Sequence, residues 1–113
     1  MIKNKIVLVP FPFDDFSGSK VRPALCLCNP IGKYDHLVIA FISSQIPDDV
    51  LNTDIVVRKG TADFADTGLL VDSVVRIHKM VTIPKSLIKR ELGVIDTDLQ
   101  KKVLSRIDEV FKD

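Results

Sequence analysis

Three apolar runs in the first half of the chain lack the alternation of a half-exposed strand: Ile6 to Val9, Ala24 to Cys28 and Leu37 to Ile42. Each is too short for an ordinary helix. The first and third are rich in β-branched residues, and all three predict strands buried on both faces. The first strand is expected over residues 5–10, ended by Pro10 and Pro12, which cannot donate to a ladder. The second covers residues 22–29 and runs into the turn composition Asn29-Pro30-Ile31-Gly32-Lys33. The third covers residues 36–43 and stops at Ser43-Ser44-Gln45.

The second half is patterned differently. A short fourth strand is expected over residues 54–58, then a loop over 59–68 with one helical turn around 62–65. The fifth strand, residues 73–79, alternates, with Arg76 and His78 on one face and Val75 and Ile77 on the other. Residues 80–83 continue it past a bend. Pro84 at a first helical position predicts a short helix through Ile88, and Leu92-Gly93-Val94 returns to an extended path. Thr97-Asp98-Leu99-Gln100 matches a capping box. Leu99, Val103, Ile107 and Val110 then recur at helical spacing, with Leu104 and Phe111 beside them, which predicts an amphipathic helix of about four turns. Five or six short strands closed by one long helix describe a small, mainly antiparallel β-barrel with short helices appended. A chain of 113 residues without repeats fits one domain.

Charge narrows the function. Sixteen Lys and Arg against fifteen Asp and Glu leave a net charge of +1, so any contact with a polyanion must come from a local cluster. No run approaches the ~18 apolar residues of a membrane span, and Met1-Ile2-Lys3-Asn4-Lys5 carries no apolar signal region, so a cytoplasmic location is expected. The two cysteines, Cys26 and Cys28, would point to one side of one strand, a poor disulfide geometry. With only His36 nearby they also lack the partners of a zinc site. They read as small hydrophobes, and no cofactor is expected.

The stretch Gly18-Ser19-Lys20-Val21-Arg22-Pro23-Ala24-Leu25 stands apart. A polar loop (residues 11–20, opening Phe11-Pro12-Phe13) ends in an arginine at the mouth of an apolar strand. That place suits an anion better than a core. The bland alternative is an ion pair of Arg22 with Asp14 or Asp15, while Phe11 or Phe13 either closes the barrel end or stacks a base.

Taken in order, Ile6 to Phe13, the stretch around Arg22, Ile42-Ser43-Ser44-Gln45, Asp72-Ser73-Val74-Val75-Arg76, Thr82-Ile83-Pro84-Lys85-Ser86 and the closing helix resemble the MazF/PemK/Kid-type toxin family over almost the full chain. The resemblance implies an SH3-like β-barrel and a homodimer. It also implies a metal-independent endoribonuclease of a toxin–antitoxin system, restrained by an antitoxin protein. Arg22 matches the arginine of the family's Arg-Pro motif, and Ser43 the Thr or Ser after the third strand; these two are the candidate catalytic residues. Where the family often has Gln and a basic residue near the end of the fifth strand, this chain has Lys79 and Val81.

Metal-free RNA cleavage can use the substrate's 2′-hydroxyl as nucleophile, leaving a 2′,3′-cyclic phosphate and a 5′-hydroxyl. The enzyme's task is then to hold the in-line geometry and stabilise the phosphorane. A guanidinium is a rigid fork of donors for that charge and a poor base, so Arg22 is assigned charge stabilisation. Ser43 would orient a phosphate oxygen or relay a proton, although a hydroxyl at a strand end often just bonds a turn backbone group. Ser44 offers the same chemistry one residue on. Lys20, Lys79 and Lys85 are point charges for the RNA backbone, or simply solvated lysines. His78 would assist proton transfer or binding, or sit as a hydrogen-bonded surface residue. The rival function is a non-catalytic barrel that binds a protein target or only an antitoxin.

Overall fold

The computed structural model describes residues 1–11 and 20–113. Six strands and one long helix follow one another: β1 (Lys5–Pro10), β2 (Val21–Cys26), β3 (His36–Ser43), β4 (Asp54–Val57), β5 (Ser73–Pro84), β6 (Arg90–Val94) and α1 (Thr97–Phe111). The strands form one sheet in the order β4-β5-β3-β2-β1-β6, and every neighbouring pair is antiparallel. The loop containing Phe13, Asp14 and Asp15 lies outside the described residues, apart from its ends.

The sheet curls into a half-barrel because its two edges are drawn together by the β4–β5 loop. The Val94 N–H donates to the Asp66 carbonyl at 2.9 Å. Gly93 makes that approach possible, since a Cβ there would stand 2.3 Å from the same carbonyl oxygen. Gly68, at φ +75°, passes as closely under Leu92 in a backbone conformation open chiefly to glycine.

The non-alternating runs have a physical reason: β1, β2 and β3 are covered on both sides. On the inner face Ile6, Leu25, Ala40, Ile42, Val75 and Ile77 pack with Leu99 and Val103 of α1. On the outer face Val7, Val9, Ala24, Cys26, Leu37 and Ile39 form a second core with Ile2 and Ile83. Leu87 and Ile88 help cover it. At about 25 cal/mol for each Å² of apolar surface removed from water, such double burial is what makes short strands sufficient. Burial also pushes the Cys26 thiol up to about 11, with Cys28 beside it adding to the effect. Both cysteines are free, and the Cys28 sulfur accepts from the Val38 N–H at 3.3 Å.

Several details differ from the sequence reading. β2 ends at Cys26 because β3 pairs with it only from Ala24 to Cys26. β5 does run on through Pro84, but a bulge interrupts it, since Ala40 pairs with Met80 and its neighbour Phe41 with Arg76. The short helix after Pro84 is a single 3₁₀ turn, Lys85–Leu87, with Pro84 outside it. The long helix is capped by Asp96, whose carboxylate accepts from the Leu99 N–H at 2.8 Å, so Thr97 is the first helical residue and not the cap. The Gln100 side-chain amide donates to the Ile95 carbonyl at 3.1 Å, a different bond from that of a capping box, in which the side chain accepts the cap residue's N–H. Among the described residues no helix is long and apolar enough to cross a membrane.

Candidate active site

The ends of β2 and β3 that lie beside the start of β5 form the rim of a cleft of ≈ 900 Å³. Two strand mouths build it. Ala24–Phe41 is the last pair between β2 and β3; Arg22 and Ser43 each lie two residues beyond it on their strands, and alternation turns both to the outer face. Ser43 is half-buried and Arg22 exposed. The two residues joined by the resemblance both line this cleft.

Arg22 makes no hydrogen bond or ion pair through its guanidinium with the described residues. Its alternative partners, Asp14 and Asp15, fall outside them. The Ser43 hydroxyl accepts from the Gln45 N–H at 3.0 Å and stands 3.4 Å from the Gln45 carbonyl. The bland role is therefore real, but it leaves the hydroxyl proton with only a long, weak acceptor. A hydroxyl fixed through its lone pair with a proton to give is suited to a phosphate oxygen.

Of the other candidates, Ser44 and Lys79 also line the cleft, whereas Lys20 and His78 do not. Lys20 is exposed, and its carbonyl accepts from the Phe11 N–H at 3.0 Å, joining the two ends of the β1–β2 loop. The His78 Nδ1 lies 3.2 Å from the Thr53 hydroxyl and 3.8 Å from Asp54, turned toward β4. Phe11 packs edge-on against Phe41, ring centres 5.5 Å apart, at the cleft wall.

Two arginines of the cleft were not singled out from the sequence. Arg76 donates through Nε to the Asp54 carboxylate at 2.9 Å. That carboxylate has no exposed side-chain surface, and the Leu51 N–H satisfies its other oxygen at 2.9 Å. The pair joins neighbours across β4 and β5; the one sequence hint was the shared face of Arg76 and His78. Arg90, on β6, is exposed and enters from the other side of the rim. Nothing in its local sequence sets it apart from Lys89.

The described lining thus carries four basic side chains, Arg22, Arg76, Lys79 and Arg90, and no carboxylate. On a chain of net charge +1 this is the local cluster that a polyanion requires. Among the described residues no three His, Cys, Asp or Glu side chains gather to hold a metal ion.

Residues 3–111 match the family model described as PemK-like, MazF-like toxin of type II toxin-antitoxin system. The chain belongs to this toxin family. Solved structures agree on its fold. Mycobacterium tuberculosis toxin MazF-mt6 superposes with a TM-score of 0.72 at 22% identity, over 95% of both chains. A mycobacterial endoribonuclease in complex with its cognate antitoxin gives 0.70 at 13% identity, over 97% of this chain and 93% of that one. MazF from Deinococcus radiodurans gives 0.66 at 12% identity, over 97% and 94%. No curated protein sequence matches the chain at a significant level. Membership in the PemK-like, MazF-like family accounts for the curled sheet.

Proposed function

We propose that this toxin is an endoribonuclease that cuts single-stranded RNA without a metal ion, leaving a 2′,3′-cyclic phosphate and a 5′-hydroxyl. What supports the reading is that Arg22, whose guanidinium has no partner among the described residues, and Ser43 line one cleft whose described charged side chains are all basic. The 2′-oxygen attacks phosphorus in line with the 5′-oxygen. The O2′–P bond forms, the P–O5′ bond breaks, the 2′-proton leaves to solvent and the 5′-oxygen gains one. Arg22 meets the charge that builds on the non-bridging oxygens, where a fixed donor fork contributes most. Ser43 turns its proton from the long contact with the Gln45 carbonyl to the same phosphate or relays it to the leaving oxygen. Single strands fit because their backbone can adopt the in-line geometry and their bases can splay out.

The mycobacterial relative solved with its cognate antitoxin supports a similar restraint for this chain. The basic cleft suits an acidic, disordered segment that folds over Arg22. A homodimer, acting in the cytoplasm, completes the proposal. The test is purified protein incubated with mixed single-stranded RNA and excess chelator. Cleavage by the wild type and loss of it in Arg22→Ala supports the reading. Intact RNA, or equal cutting by both proteins, rejects it in favour of a protein-binding barrel.

A further inference from the structure

Arg90 and Arg22 line one cleft from opposite faces of the sheet. Arg90 pairs with Leu8, and Leu8 with Pro23. These three share the inner face, as does Leu92, which packs on the inner core. Arg22, next to Pro23, pairs with the buried outer-face residue Val9 and so points the other way. Two strand spacings put the α-carbons of Arg90 and Arg22 about 10 Å apart, and their side chains then diverge across the rim. Placement on opposite faces favours two phosphates, one in each guanidinium fork, over a single shared one. Between the two cations the cleft wall is apolar: Leu8, Pro23 and Leu92.

We propose that Arg90 is a second phosphate seat, holding the phosphodiester that flanks the scissile one once the strand has crossed the rim. The nucleoside between the two phosphates lies over Leu8, Pro23 and Leu92, where its sugar or base face covers apolar surface. The inference rests on the RNA-cleaving reading for the identity of the polyanion, and it adds a requirement for substrate length. A strand with one phosphate reaches Arg22 alone; a strand with two or more reaches both. Arg90 acts on binding, and its guanidinium stands apart from the reacting bonds.

Binding of fully 2′-O-methylated oligonucleotides, which cannot be cut by their own 2′-oxygen, isolates this claim from the chemistry. Affinity is measured by fluorescence anisotropy for strands of two to six nucleotides over a range of salt. The wild type should gain affinity where a second phosphate enters, and Arg90→Ala should flatten that step by about tenfold. The slope of log K against log salt should fall by about 0.7, the value for one phosphate contact on a single strand. Arg90→Lys should keep most of the slope. Lys101→Ala, an exposed helix position away from the cleft, removes the same charge and should change neither.

Arg90→Ala that binds every length as the wild type does, or that loses affinity no more than Lys101→Ala, overturns the seat even if the protein cuts RNA. Conversely, a wild type that cuts no RNA but shows the Arg90-dependent step rejects the nuclease reading and supports the seat. Arg90 is exposed, so its replacement leaves no cavity in either core.

Discussion

Arg22 and Arg76 line the same cleft under opposite conditions. Arg76 is tied through Nε to Asp54, a carboxylate with no exposed side-chain surface that is also held by a backbone N–H. Arg22 is exposed and has no carboxylate among the described residues. A guanidinium with a buried partner has its charge answered within the fold, and its removal would leave Asp54 desolvated and unpaired. A guanidinium without one keeps its field for a ligand. The same side chain is tied to a buried carboxylate at one place and, under the proposed function, serves the substrate at the other, and the difference lies in the partner.

This contrast breaks most sharply at Arg22. Arg22→Ala should lower the cleavage rate about 10³-fold, roughly 4 kcal/mol of transition-state stabilisation, while thermal unfolding stays where it was. A fall in melting temperature as large as that of an Asp54 variant would erase the contrast. Asp54→Ala should do the reverse and cost about 3 kcal/mol in urea unfolding, because it strands the half-buried Arg76. Replacing both partners by apolar residues, Asp54→Leu with Arg76→Met, should recover most of that loss.

Ser43→Ala should slow cleavage about 10²-fold, the lower end for a positioned proton donor. Stability should change little, since the hydroxyl's partner is the Gln45 N–H in an exposed turn. Salt gives the smallest effect and still separates the two kinds of arginine. With Arg22, Lys79 and Arg90 on phosphates, RNA affinity should fall roughly twentyfold between 50 and 200 mM salt, whereas the buried Asp54–Arg76 pair is screened far less and unfolding should barely respond.

The sequence exposed the strands better than the partners. β1 and β3 fall on their expected bounds because double burial writes itself as an unbroken apolar run, and their edges are marked by Pro10 and by Ser43-Ser44. Arg22 was visible for a similar reason: a loop and a proline bracket it. The helix cap was displaced by one residue because Asp96 and Thr97 are both good caps, and local pattern does not say which side chain finds the Leu99 N–H. Asp54 and Arg76 are separated by 22 residues and meet only once the β4–β5 register is set. Arg90 was hidden for the same reason. Its place at the cleft depends on the pairing of β6 with β1 and on a bulge there between Ile6 and Val7, which no local spacing announces. His78 sat on the expected face with Arg76, but its ring turned toward Asp54 and Thr53 while Arg76 lines the cleft.

The chemistry at Arg22 is tested most directly by the ends of the cut RNA. Fragments produced in the presence of chelator are treated with polynucleotide kinase and labelled phosphate, and their 3′ ends are analysed by mass. The account predicts 5′ ends that accept label without prior phosphatase treatment and 3′ ends carrying a 2′,3′-cyclic phosphate, both absent with Arg22→Ala. Fragments bearing 5′-phosphate and 3′-hydroxyl ends would mean that water attacks in place of the 2′-oxygen, and would contradict it.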